Sequence, residues 1–245
     1  MTELMRVEEL RKSYGEKLVL RDVDLLVEQH DVVCLIGASG SGKSTLLRCL
    51  NLLEQIDDGS IFFEGAEITD PRVDARAVRR RIGMVFQAYN LFPHMTVLEN
   101  VTLAPRKVAG LPAAEAEQQA RALLEKFGLS DKADEHPDRL SGGQQQRAAV
   151  VRALATEPSL VLLDEVTSAL DPELVGEVLD IIRDMASAGT TLILATHEMA
   201  FARDVATLVC FLDDGAILEQ GPPERIFTDP EHDRTRQFLR RVLTS

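Results

Sequence analysis

One stretch constrains this chain more than any other: Gly37-Ala38-Ser39-Gly40-Ser41-Gly42-Lys43-Ser44. Ahead of it, Val32 to Ile36 is a continuous apolar run, the pattern of a strand buried on both faces. Behind it, apolar residues recur at helical spacing from Ser44 to Leu53. A glycine-rich loop between a buried strand and a helix is a device for holding an anion. The glycines let successive N–H groups curl around it, the helix start adds its positive dipole end, and Lys43 adds a full charge. The segment matches GxxxxGK[ST] at every fixed position, so a nucleotide's phosphates are the expected occupant, with Lys43 at the β and γ phosphates and the Ser44 hydroxyl on Mg²⁺.

Such a strand needs parallel neighbours, and the rest of the chain supplies them. Leu160 to Leu163, Thr191 to Ala195 and Leu208 to Leu212 are further short apolar runs, while Ala113–Phe127, Gly143–Thr156 and Pro172–Ala188 carry helix patterns. Alternating strands and helices predict an α/β fold with a parallel sheet covered on both faces. The first 30 residues and Gly59 to Thr69 alternate instead, and predict shorter antiparallel strands with a turn at Glu64-Gly65. From Tyr89 to Ala155 helix patterns and loops occur without a convincing strand. The expected organisation is a single domain of 245 residues: an α/β nucleotide-binding core from 1–88 and 156–245, with a helical lobe inserted at 89–155.

Composition closes off other classes. Forty acidic against 27 basic residues give a formal charge of −13, which repels nucleic-acid phosphate, so no nucleic-acid partner is expected. The three cysteines, Cys34, Cys49 and Cys210, are odd in number and form no CxxC pair, so neither a disulfide framework nor a zinc site is indicated, and a reducing cytoplasm fits. The charged N-terminus lacks the apolar core of a signal peptide, and no apolar stretch is long enough to span a bilayer. Between Asp213 and Asp233 seven acidic residues accompany one basic residue, Arg225, and read as a solvated tail.

The phosphate loop alone does not choose a reaction. Leu160-Val161-Leu162-Leu163-Asp164-Glu165 narrows it: the strand delivers Asp164 to the metal, while Glu165 is placed to polarise a water. Two adjacent carboxylates with separate tasks point to hydrolysis rather than transfer. A second glycine-rich helix start, Leu140-Ser141-Gly142-Gly143-Gln144, offers another set of N–H groups and a serine hydroxyl to an anion, far in sequence from Lys43.

Leu140–Gln144, lying between the phosphate loop and the Asp164-Glu165 strand, resembles the signature of ABC-type ATPases, and the resemblance extends over essentially the whole chain. It implies a P-loop ABC cassette: a RecA-like parallel-sheet core with an antiparallel β edge and an inserted α-helical lobe. It assigns Tyr14 to adenine stacking, Gln87 to the metal and attacking water, Ser168-Ala169-Leu170-Asp171 to a loop crossing a dimer interface, and His197 to the γ-phosphate. Val19 and Thr45 join the nucleotide-contacting set. It further implies that two copies pack head to tail, so that Ser141 to Gln144 of one complete the ATP site built on Lys43 of the other. Val166 departs from the family pattern, which has proline after the glutamate.

Asn51–Glu54, Val85–Asn100 and Thr196–Arg203 are similar to ATPase subunits of bacterial polar amino acid importers. That similarity implies integral membrane permease subunits as partners, an extracytoplasmic solute-binding protein as an indirect one, and a place on the inner face of the membrane. Tyr89, Leu91, Phe92 and Pro93 become the candidate docking segment for a permease helix. The rival is a soluble ABC ATPase acting on ribosomes or DNA, disfavoured by the single cassette, the absence of heptads and the negative charge. An export-type ATPase shares all the core chemistry.

Overall fold

The structure is a computed structural model that describes residues 2–243. These residues divide into two compact units, one of residues up to Arg79 together with those from Ala186 onward, the other of Arg80–Met185.

The first unit opens with β1 (Glu3–Tyr14) and β2 (Lys17–Glu28), which pair antiparallel, followed by β3 (Val32–Ile36) and α1 (Lys43–Leu50). Next come β4 (Asp58–Phe63), antiparallel to β1, and the short β5 (Ala66–Glu67). The expected Glu64-Gly65 turn joins them, both residues having positive φ. The opening strands are 12 residues each, longer than the sequence predicts. Register shifts along the pair, and Glu9 and Asp22 in left-handed backbone, interrupt the alternation and so conceal one long bent hairpin.

After α2 (Ala75–Arg81), which belongs mostly to the first unit's end, the second unit holds β6 (Ile82–Val85), α3 (Val97–Lys107), α4 (Ala113–Lys126), α5 (Gly142–Leu154), β7 (Leu160–Asp164) and α6 (Pro172–Ser187). β6 and β7 are parallel, with Val85 opposite Leu163. Between 89 and 155 the described chain is helix, turn and loop with no strand, as the pattern indicates. α3 starts on a capping box, Thr96 with Glu99.

The first unit resumes with β8 (Thr191–Ala195), α7 (Met199–Val205), β9 (Leu208–Asp213), β10 (Ala216–Gly221), α8 (Pro223–Thr228) and α9 (Asp233–Leu243). β3 lies between β8 and β9, parallel to both, and β10 returns antiparallel to β9. Every residue of β3, β7 and β8 is buried, which is why these strands read as unbroken apolar runs. The Arg21 N–H donates to Gly215 O at 2.8 Å, joining the antiparallel sheet to the β9–β10 turn.

The acidic stretch 213–233 is not a solvated tail. It contains β10 and α8, and Glu219 is buried, accepting from the N–H groups of Glu231 and His232. A count of carboxylates carries no information on which of them the fold buries. The three cysteines are free and buried, and burial pushes the Cys210 thiol up to about 12.

Candidate functional site

Parallel strands bring their carboxyl ends to one edge, and within each unit that edge collects polar residues. In the first unit Leu35 stands opposite Ala195 and Ile36 opposite Phe211. The loop beginning at Gly37 and the residue His197 therefore leave neighbouring strands at the same end. Thr196 is buried, and its hydroxyl accepts from the Glu198 N–H at 3.0 Å, which turns the chain so that His197 is exposed.

The loop has the build of an anion cradle. Gly37 has φ 149°, and a side-chain carbon there would meet Leu212 O at 2.2 Å, so the loop's first residue is closed to anything larger. Gly42 enters α1 at φ 109° and caps it without a side chain, and the first turn holds no acidic residue. Lys43 is buried, its Nζ donating to Gly37 O at 3.0 Å and Ala38 O at 3.2 Å, so its charge is held inside the loop. The Ser41 hydroxyl is buried without a partner. An orphaned hydroxyl, a buried ammonium and an uncapped helix start all fit phosphate oxygens. Ala38, Ser39 and Gly40 form the exposed rim, and Ser44 and Thr45 are half-buried in the first helical turn.

Tyr14 lies at the end of β1 near Glu54 and Thr45, and Lys12 Nζ is 5.0 Å from its ring centroid. Partial burial and the Glu54 carboxylate raise its phenol above the ordinary range. Val19 presents its backbone to the loop: its carbonyl would be 3.1 Å from a side-chain carbon at Gly42. The structure thus gathers Tyr14, Val19, the 37–45 loop and His197 in the first unit.

The second unit gathers the others. With Val85 opposite Leu163, Gln87 and the pair Asp164-Glu165 leave β6 and β7 at the same end. Asp164 is buried, Glu165 half-buried and Gln87 exposed. Glu165 has φ 47°, left-handed for a residue with a side chain, and its carbonyl accepts from both the N–H and the hydroxyl of Ser168. That tight turn begins the 168–171 loop that ends at Asp171.

Ser141 caps α5: its hydroxyl accepts from the Gln144 N–H, and the Gln144 side chain accepts in return from the Ser141 N–H. This narrows the set of donors expected at the helix start. Two donors are satisfied within the helix, leaving the N–H groups of Gly142 and Gly143, and the Ser141 hydroxyl proton, for an outside acceptor. Around this start the structure gives Tyr89 a second role beside the expected docking and adds Arg152, which the sequence alone did not single out. The Tyr89 hydroxyl donates to Ala169 O at 3.3 Å, and the Arg152 guanidinium donates to the carbonyls of Tyr89 and Asn90. Nothing in a linear pattern marks a side chain that grips a backbone 62 positions away.

The sequence pattern of the ABC transporter family matches residues 20–168. Over 235 residues the chain is 51% identical to a glutamine transport ATP-binding protein of Geobacillus stearothermophilus, covering 96% of this chain and 97% of that one. It is 50% identical to an L-cystine import ATP-binding protein of Bacillus subtilis, over 98% and 99% of the two chains. Among solved structures, the dimeric post-hydrolysis state of the ATP-binding cassette MJ0796 bound to ADP and Pi is similar at a TM-score of 0.80 and 31% identity, covering 90% of this chain and 99% of that one.

Proposed function

The chain belongs to the ABC transporter family of ATPases, and from that premise we propose that it energises uptake of a polar amino acid or related small solute through separate permease subunits. The observation that carries the chemistry is the convergence at strand ends described above: the Lys43 loop with His197 in one unit, Gln87 with Asp164 and Glu165 in the other. Near full-length likeness to amino acid transport proteins supports the solute class, and those relatives serve different solutes with similar chains.

In this reading the loop N–H groups and Lys43 hold the phosphates, and Tyr14 with Val19 holds the base. Bound Mg²⁺ would neutralise charge on the β and γ phosphate oxygens, held by the Ser44 hydroxyl, Gln87 and Asp164. Glu165 accepts the proton of the attacking water, and His197 donates a hydrogen bond to the γ-phosphate. Ser141, Gly142, Gly143 and Gln144 of a second copy complete the site, and Asp171 faces that copy. Residues 1–88 and 156–245 act as the nucleotide-binding core and 89–155 as the inserted lobe.

Among the described residues no helix is long and apolar enough to cross a membrane. In this reading the chain works at the inner face of the membrane by docking to the permease subunits. A cleft of about 330 Å³ lined by His94, Met95, Glu99, Leu103, Arg106 and Lys107, in the segment that also exposes Phe92, is the seat for a permease helix. Within the candidate segment Phe92 and Pro93 are exposed, whereas Tyr89 and Leu91 are half-buried and contribute less. The test is isolation of the tagged chain from native membranes. Co-purification of integral membrane proteins, with loss of ATP-driven amino acid uptake on deletion, is the expected result; co-purification with ribosomes or DNA instead would establish the rival.

A further inference from the structure

The loop after Gln87 has an unusual build. Tyr89 and Asn90 are consecutive residues with side chains in the left-handed region, at φ 58° and 53°. Neither is glycine, and for Tyr89 above all the conformation carries a cost that its surroundings must offset. Arg152, in the last turn of α5, holds this loop: its Nη1 donates to Asn90 O at 2.5 Å and its Nη2 to Tyr89 O at 3.0 Å. A planar fork of donors suits two adjacent carbonyls and holds them in a more fixed geometry than an ammonium on a flexible stem. Partial burial lowers the pKa of this guanidinium, and the two carbonyls replace part of its lost hydration.

The Tyr89 side chain then spans two further segments. Its hydroxyl donates to Ala169 O at 3.3 Å, inside the loop that leads to Asp171. The same hydroxyl lies against the start of α5: a side-chain carbon at Gly142 would be 3.3 Å from it and 3.5 Å from Leu170 Cδ2. One residue thus touches the loop of Gln87, the helix start that carries Ser141, and the loop of Asp171.

We propose that Tyr89 and Arg152 form a strut that makes these three segments move as one, and that they are positioning residues for hydrolysis, acting through Gln87. The inference rests on the assignment of Gln87 to the metal and the attacking water. Because the strut ties the segment facing a second copy to the segment facing the metal, displacement of the signature helix or the 168–171 loop is transmitted to the Gln87 backbone.

The test is a double-mutant cycle on the full chain, measuring ATP turnover, nucleotide binding and the Mg²⁺ concentration for half-maximal turnover. Tyr89→Phe deletes one hydroxyl and keeps the ring. It is expected to lower kcat about three- to tenfold, leave ATP affinity within about twofold, and raise the Mg²⁺ requirement. Combined with Gln87→Ala it should add nothing, the double variant turning over within about twofold of Gln87→Ala alone. Arg152→Lys should fall between wild type and Arg152→Met in both kcat and Mg²⁺ requirement, a gradation that a general loss of folding would not give. Wild-type kcat for Tyr89→Phe, or losses that multiply in the double variant, would overturn the strut. Wild-type turnover in Gln87→Ala would instead remove the assignment of Gln87 itself, so the two failures are separable.

Discussion

Glu165 closes β7 in a conformation that side-chain-bearing residues avoid, and the cost, roughly 1–2 kcal/mol, is offset by the paired Ser168 bonds to its carbonyl. Strain at a carboxylate next to a buried aspartate marks a position shaped for chemistry. Glu165→Gln keeps the shape and removes the proton acceptor. It is expected to bind ATP as wild type does and to lose turnover by about 10²-fold or more, and ATP should then hold it as a stable dimer. A variant hydrolysing at the wild-type rate in a phosphate-release assay would remove Glu165 from the role. The sequence pointed to Glu165 because it adjoins Asp164 after an apolar strand. It marked Tyr89 only as part of a docking segment and gave no sign of Arg152, because bonds to backbone carbonyls leave no trace in residue spacing.

At the level of elements, the buried parallel strands were legible because burial on both faces demands unbroken apolar sequence. The β10–α8–α9 region was not, since its decisive residue is a buried carboxylate. Burial alone would raise the pKa of Glu219, but hydrogen bonds, among them those from the N–H groups of Glu231 and His232, outweigh it and hold the carboxyl below the ordinary 4.5. A depressed folded-state value contributes stability that is present above the unfolded pKa and disappears as pH falls through the lower folded one. Glu219→Gln is therefore expected to cost about 1–2 kcal/mol near neutral pH, a shift of a few degrees in Tm, with the difference from wild type vanishing in strong acid. A constant difference across the pH range in thermal melts would contradict the linkage.

Across the whole molecule, the proposed reaction needs residues that one copy keeps far apart in sequence, and the capping box at Ser141 leaves donors that face away from their own helix. The MJ0796 relative is dimeric in a state holding ADP and Pi. If sites are shared between copies, Lys43→Ala and Ser141→Arg, each inactive alone, complement when mixed. Half the dimers are then mixed, each with one competent site of two, so turnover should recover to roughly one quarter of wild type. No recovery in an exchange-equilibrated mixture would show that each chain works alone. Solute choice is expected to lie outside this chain, since closely similar chains serve glutamine and L-cystine transport.

By itself the sequence determined the phosphate loop, the strand that feeds it, the adjacent carboxylates and the signature helix, because each is a local device whose spacing is dictated by backbone geometry. Only the tertiary structure decided which strands lie side by side, and hence that His197 joins the Lys43 loop and Gln87 joins Glu165. It also decided that Glu219 is buried and that Arg152 grips the loop after Gln87. Those outcomes depend on hydrogen bonds to main-chain atoms, which every residue carries alike and which no pattern of side chains can announce.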